Sequence, residues 1–251
     1  MRILMVNDDG YSCPGLVKLA SILAKKHEVR VVAPHKCNSG MSAAVTFHKP
    51  IFIREITGYP YLCYSVTGTP SDCVKIGVEL FATIRPELII SGINTDFNIG
   101  TDVFYSGTAN AAIEGSLNNI PSLAISTKAC EEQFDYVVDT FLKDFDYYIS
   151  LSSSKYALNI NINNEAIGNI GKVICKLGKR QFCDIYLIDH NVQDGFSCTL
   201  VGNPIPIEND IDTDVVWLSK GYTTITPICY NSTDFRTLES LKRKILLPKR
   251  N

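Results

Sequence analysis

The sequence predicts an α/β fold, a Rossmann-like doubly wound sheet that is mostly parallel and carries an antiparallel C-terminal extension. Three observations predict it. Residues 2–34 read strand, polar loop, helix, strand, which is the opening unit of such sheets. Short apolar runs then alternate with helical patterns along the first 160 residues, a rhythm that calls for parallel strands joined by right-handed crossovers. Beyond residue 165 the alternation breaks down into strand-like runs.

RILMV (2–6) is a buried strand that ends abruptly in polar NDDG. PGLVKLASILAKK (14–26) puts Leu16, Leu19, Ile22 and Leu23 at helical spacing, with Pro14 suited to a first turn and lysines closing the last. EVRVVAP (28–34) is the second strand. PIFIREI (50–56) and YLCYSV (61–66) flank a TGYP turn and read as a hairpin. PSDCVKIGVELF (70–81) is a helix with Ser71 or Asp72 near its cap. ELIISGIN (87–94) is a strand running into a loop, GTANAAIEGSLNN (107–119) a helix of small residues, and SLAIS (122–126) a strand. EQFDYVVDTFLKDFDYYIS (132–150) is the longest amphipathic helix, and ALNINI (157–162) a strand. KVICKL (172–177) and DIYLID (184–189) read as strands of the antiparallel extension, and GFSCTLVG (195–202) as a weaker one. TDVVWLSKG (213–221) fits strand or helix. YTTITPI (222–228) is a strand and STDFRTLESLKRKI (232–245) a capped final helix. No repeat or linker divides residues 1–251, so the reading is one domain, with residues from about 165 to 251 as an extension.

Composition narrows the function classes. The 251 residues are 45% hydrophobic and 20% charged, with a net charge of −2. Stable nucleic-acid binding and anionic membrane surfaces are poor matches for a nearly neutral chain. The longest apolar run at the N-terminus is Ile3 to Val6, too short for a signal peptide, and nothing approaches the ~18 residues of a membrane span. The nine cysteines are scattered without a C-x-x-C, which argues against a disulfide framework or structural zinc and reads most of them as small buried side chains. The expectation is a cytoplasmic protein.

Ligands of open α/β sheets bind outside the carboxyl ends of the strands. Three polar loops fall there: Asn7-Asp8-Asp9-Gly10, Asn38-Ser39-Gly40, and the loop entered through Ser91-Gly92-Ile93-Asn94. Adjacent aspartates need a cation or full hydration, and carboxylate, hydroxyl and amide oxygens suit a hard divalent ion. The plain alternative for NDDG is a solvated turn, but its place at a strand end favours a site. Ser106-Gly107-Thr108 opens a helix, where free N–H groups bind phosphate; taken alone, an ordinary N-cap is the commoner reading. G-T-P-S-D (68–72) reads as a turn with a cap. No P-loop, G-x-G-x-x-G or G-x-S-x-G motif occurs. His27, His35, His48 and His190 show no ligand spacing, Trp217 reads as core, and the basic tail as solvated.

These segments together resemble the SurE family, the survival-protein-E nucleotidases. The matching pieces are RILMVNDDG (2–10), VVAP (31–34), NSGMSAAVT (38–46), GTPSDCV (68–74), SGIN (91–94), NIG (98–100), YSGTANAAIEG (105–115), IPSLAIS (120–126) and GYTTITPI (221–228). They keep their order over about nine-tenths of the chain. Each is weak alone, but the ordered set is specific. The resemblance implies a metal-dependent phosphomonoesterase acting on nucleoside 5′- and 3′-monophosphates, with short polyphosphate as a further substrate. It implies one divalent ion per subunit, Mg²⁺ or Mn²⁺ with Ca²⁺ able to occupy the site, on Asp8, Asp9, Ser39 and Asn94. Asp8 or Asp9 would orient or deprotonate the attacking water. Asn98, Ser106, Gly107 and Thr108 would hold the phosphate. It also implies a homodimer or homotetramer formed through the C-terminal extension. One departure stands out: Asp96 occupies a position where the family pattern has glycine. Rival readings are an aspartyl-phosphate phosphatase, a glycosyltransferase and a non-catalytic binding module. Adjacent D-D instead of D-x-D, the short chain and the intact acidic pair argue against them in turn.

Overall fold

Strand β1 (Arg2–Val6) alternates Ile3 and Met5 with Leu4 and Val6, and all four are buried. A strand apolar on both faces must be covered on both faces, and that requirement organises the molecule. The computed structural model describes residues 1–128, 133–164, 169–190, 192 and 194–246.

β1 is flanked in parallel by β2 (Glu28–Pro34) and β5 (Leu88–Asn94). β4 (Leu62–Val66) joins β2 in parallel, and β3 (Ile53–Ile56) closes that edge antiparallel to β4, completing the expected hairpin with a shorter first strand. On the other side β6 (Ser122–Thr127) and β7 (Ala157–Ile162) continue in parallel. β8 (Lys172–Ile174) and β11 (Thr223–Ile228) complete nine strands in the order β3-β4-β2-β1-β5-β6-β7-β11-β8. β9 (Gln181–Asp189) and β10 (Ser197–Ile205) form a separate antiparallel ribbon.

Helix α1 (Pro14–Leu23) covers one face with α4 (Phe134–Lys143) and α5 (Phe145–Leu151). Leu16, Leu19, Phe141 and Tyr148 pack there against Ile3, Met5, Ile90 and Ile160. Helices α2 (Pro70–Leu80) and α3 (Gly107–Leu117) cover the other face, against Leu4, Val6, Val32 and Ile89. Each fully buried Leu or Ile contributes about 1.5–3 kcal/mol of transfer free energy. Helix α6 (Asp214–Ser219) precedes β11, and α7 (Phe235–Leu246) follows it.

Several expectations need correction. KVICKL is no part of an antiparallel extension: its first three residues are β8, parallel to β11 in the main sheet. The 132–150 helix is interrupted at Asp144 and forms α4 and α5; Glu132 lies outside the described residues. TDVVWLSKG contains a short helix, α6. Trp217 is only half-buried, packed edge-on against Tyr222 and beneath Lys220. Of the described cysteines, Cys13, Cys63, Cys73 and Cys175 are buried, but Cys37, Cys183, Cys198 and Cys229 are exposed; Cys130 falls outside the described residues, as do Lys249 and Arg250 of the basic tail. No helix among the described residues is long and apolar enough to cross a membrane.

Candidate functional site

β1 and β5 lie side by side, with Val6 opposite Ser91, so NDDG and the Asn94 loop leave the sheet at the same end. Asn7 shapes the first loop. Its buried amide donates to the Gly10 carbonyl at 2.9 Å and accepts the Gly10 N–H at 3.2 Å. That ring closes over Gly10 at φ 109°, a conformation side chains rarely adopt. The turn delivers Asp8 and Asp9 together.

The second loop is tied to the first. Asn38 N–H donates to the Asp8 carbonyl at 2.7 Å. The Cys37 thiol lies 4.0 Å from Asp9 Oδ1 and 3.1 Å from Ser39 Oγ, and so links the two loops. On its far side Asp9 meets the Cys13 thiol at 3.9 Å. Further along, Thr46 bonds to Asp72, and Ser42 bonds to the Phe104 carbonyl at 2.6 Å and the Tyr105 carbonyl at 3.1 Å. Residues 38–46 are therefore pinned to the start of α2 and the entrance of α3.

The third component is the N-terminus of α3. The Thr108 hydroxyl donates to Asp8 Oδ1 at 2.5 Å. A Cβ on Gly107 would come within 2.9 Å of Asp8 Cβ and 3.0 Å of its Oδ2. Only glycine permits this close approach of helix and carboxylate. Ser106 is the N-cap, its Oγ accepting from Ala109 N–H at 3.0 Å, so the ordinary-cap reading holds for that oxygen. The same cap reading holds for G-T-P-S-D, where Thr69 and Asp72 form a reciprocal capping box.

Burial pushes the Asp8 carboxyl up, against opposing bonds from the Thr108 hydroxyl and main chain. Burial and then the neighbouring Asp8 charge push Asp9 up to about 6. No lysine, arginine or histidine among the described residues pairs with either. A buried and a half-buried carboxylate, adjacent and uncompensated, with a hydroxyl and an amide nearby, suit a hard divalent cation. No group of three or more His, Cys, Asp or Glu side chains with ligand geometry occurs among the described residues.

Asn94 sits at the end of β5 with its amide N–H donating to the Asp96 carbonyl at 2.6 Å. Asp96 is exposed and its φ is not positive. Its carboxylate accepts the Phe97 N–H at 2.9 Å, so this position makes no use of a glycine's conformational range. Asn98 is buried and donates to Ser126 Oγ at 2.8 Å. His35 is turned to Ser65 Oγ at 3.2 Å and stacks on Tyr11. Sequence reasoning places Asn7 in the loop but misses its closing role, and it misses the two thiols flanking Asp9 and the asparagines of β7. Asn159 and Asn161 are both fully buried, which the alternation in ALNINI does not signal.

Comparison with known proteins gives the family. The family model described as "Survival protein SurE" matches residues 3–184. A protein named 5′-nucleotidase SurE from Caldanaerobacter subterraneus subsp. tengcongensis is 39% identical over 246 residues, covering 95% of each chain. One of the same name from Clostridium beijerinckii is 37% identical over 254 residues, covering 97% of this chain and 98% of its own. The crystal structure of the SurE protein from Aquifex aeolicus superimposes with a TM-score of 0.77 at 30% identity, covering 98% of this chain and 100% of that one. The chain belongs to the survival protein SurE family.

Proposed function

We propose that this protein is a metal-dependent phosphomonoesterase that releases phosphate from nucleoside 5′-monophosphates, and also from 3′-monophosphates and short polyphosphate. The observation that carries the reading is the uncompensated Asp8–Asp9 pair set directly against the N-terminus of α3. That juxtaposition offers one cation site and one phosphate site in contact. Relatives named 5′-nucleotidase support the substrate class.

Asp8, Asp9, Ser39 and Asn94 would hold one divalent ion, Mg²⁺ or Mn²⁺. Such an ion supplies charge neutralisation at the phosphate oxygens and lowers the pKa of nearby water. Thr108 fixes the Asp8 carboxylate through its hydroxyl. The Gly107 and Thr108 N–H groups face the incoming anion, where the helix dipole favours it. Ser106 Oγ accepts from Ala109 and keeps its own O–H to donate to a phosphate oxygen. Asn98 spends one amide N–H on Ser126 and offers the other. Asp9, the less buried aspartate, accepts the proton of the attacking water as its oxygen bonds to phosphorus. The ester P–O bond breaks in line, and the leaving oxygen takes a proton from solvent as the nucleoside departs.

Self-association belongs to the same proposal. Every residue of β9 and β10 is exposed, including Tyr186, Leu187, Ile188 and Leu200. A ribbon with that much open apolar surface is a contact surface for another subunit. The eight described cysteines are all free thiols, four of them exposed, which supports residence in a reducing compartment, the cytoplasm.

The test is a substrate panel. Phosphate release from 5′- and 3′-nucleoside monophosphates, ribose 5-phosphate and tripolyphosphate is measured with Mn²⁺, Mg²⁺ and EDTA. Nucleoside 5′-monophosphates turning over with metal alone supports the reading. Turnover confined to base-free esters, or undiminished in EDTA, contradicts it.

A further inference from the structure

We propose that Asn161, seconded by Asn159, is a positioning residue for phosphate binding that acts through Asn98. The inference rests on the reading of Asn98 as a phosphate contact. β7 carries Leu158, Ile160 and Ile162 into the core beneath α4, while Asn159 and Asn161 face the opposite side. Both asparagines are 0% exposed. A deeply buried amide is costly in mid-sheet unless it is bonded; Asn159 Oδ1 has no partner among the described residues, so the bonds of Asn161 and of Asn159 Nδ2 identify what the pair serves. Asn161 Oδ1 accepts the Asn98 N–H at 2.9 Å, and Asn161 Nδ2 donates to the Asn98 carbonyl at 3.1 Å. One side-chain amide thus grips both polar groups of a single residue, as a neighbouring strand would. Asn159 Nδ2 donates to the same carbonyl at 2.7 Å. Ser126, which receives the Asn98 side chain, is the residue opposite Asn161 on β6. Backbone and side chain of Asn98 are therefore set by one cross-strand pair. Two residues on, Asp214 Oδ2 accepts the Gly100 N–H at 2.8 Å and anchors the loop's far end. The loop has few side-chain contacts of its own to the aspartates, so its aim depends on this clasp.

A double-mutant cycle tests the inference with the full-length protein in saturating Mn²⁺. KM for a nucleoside 5′-monophosphate and competitive inhibition by inorganic phosphate are measured for wild type, Asn98→Ala, Asn161→Leu and the double variant. Asn161→Leu is expected to raise KM and the phosphate inhibition constant about tenfold, with kcat within about threefold of wild type. The double variant is expected to match Asn98→Ala, because the second change removes an effect already lost. Asn163→Leu is the control: it removes a buried amide just beyond the same strand that donates to the Leu218 carbonyl, and should lower Tm without raising KM. If Asn161→Leu fails to fold, Asn161→Asp keeps the acceptor for Asn98 N–H, loses the donor and serves the same cycle. Effects that multiply in the double variant, an unchanged KM in Asn161→Leu, or an equal KM rise in Asn163→Leu would overturn the positioning role. An Asn98→Ala variant with unchanged KM and inhibition constant overturns the phosphate-contact reading itself, and the inference with it.

Discussion

The Thr108 hydroxyl donates a hydrogen bond to Asp8 Oδ1 at 2.5 Å, joining the first turn of α3 to the end of β1 across 100 residues of chain. The bond does two things. It holds the carboxylate against the helix N-terminus, and it offsets part of the upward push that burial gives the Asp8 carboxyl. Thr108→Val keeps the shape and removes both effects. A hydrogen bond to a charged group contributes about 1.5–3 kcal/mol, so kcat/KM should fall by about tenfold or more. The acid limb of the rate profile should move to higher pH. Wild-type kinetics in this variant would mean that Asp8 needs no such support.

Asp9 gives a pH-dependent stability signature in the metal-free protein. Its folded-state carboxyl, at about 6, is raised above the ordinary value. A raised carboxyl costs stability once it must ionise. The cost is complete above pH 6, fades as pH falls from 6 towards about 4, and is absent below that. Asp9→Asn should therefore be more stable than wild type in EDTA at pH 8, by about 1–2 kcal/mol after solvent screening. The two should converge near pH 4. Added Mn²⁺ should raise Tm for wild type and do little for the variant. Thermal melts at pH 8, 6 and 4 decide it.

Much of this site is legible in the sequence, because a short apolar strand ending in NDDG cannot be read as mid-element and strand ends are where ligands gather. The Thr108–Asp8 bond is not legible, since it joins a strand-end loop to a helix whose relative height depends on packing of α3 against β5 and β6. The asparagines of β7 are hidden for a related reason: polar residues alternating with Leu and Ile read as a solvated face, and it is cover by α3 and the Asn98 loop that turns that face inward. The break at Asp144 is obscured because apolar spacing continues through it from Phe141 to Phe145 and Tyr148. The sheet that β8 joins cannot be read from its own residues, because a strand does not name its partner; Thr223 to Ile225 of β11 do.

Asp96 provides a third prediction. The contact from Asn94 goes to the Asp96 main-chain carbonyl, which survives substitution. The side chain contributes one bond to Phe97 N–H from an exposed position. Asp96→Gly should lower stability by about 0.5–1 kcal/mol through added backbone freedom. Metal affinity should be unchanged, and KM unchanged or lower as a negative charge near the phosphate is removed. Calorimetric Mn²⁺ titration and steady-state kinetics check both, and a clear loss of metal binding would assign Asp96 a supporting role.

The ribbon is tested by mass. Leu200 pairs with Tyr186 across β9 and β10, and both are exposed. Light scattering at low micromolar concentration should give a multiple of the 27.8 kDa chain mass for wild type. Tyr186→Lys with Leu200→Lys should lower that mass. A wild-type mass of one chain, with full activity, contradicts assembly.

The measurement that tests the central claim most directly is phosphate release from a nucleoside 5′-monophosphate by wild type and Asp8→Asn, assayed side by side. Each is stripped with chelator, dialysed and restored with Mn²⁺. Wild type should be silent when stripped and recover on restoration, while Asp8→Asn should stay at least about 10²-fold below it at every metal concentration. Full turnover by stripped wild type, or restored Asp8→Asn at wild-type rate, would show that the aspartates at the end of β1 are not the metal-holding centre of a phosphatase.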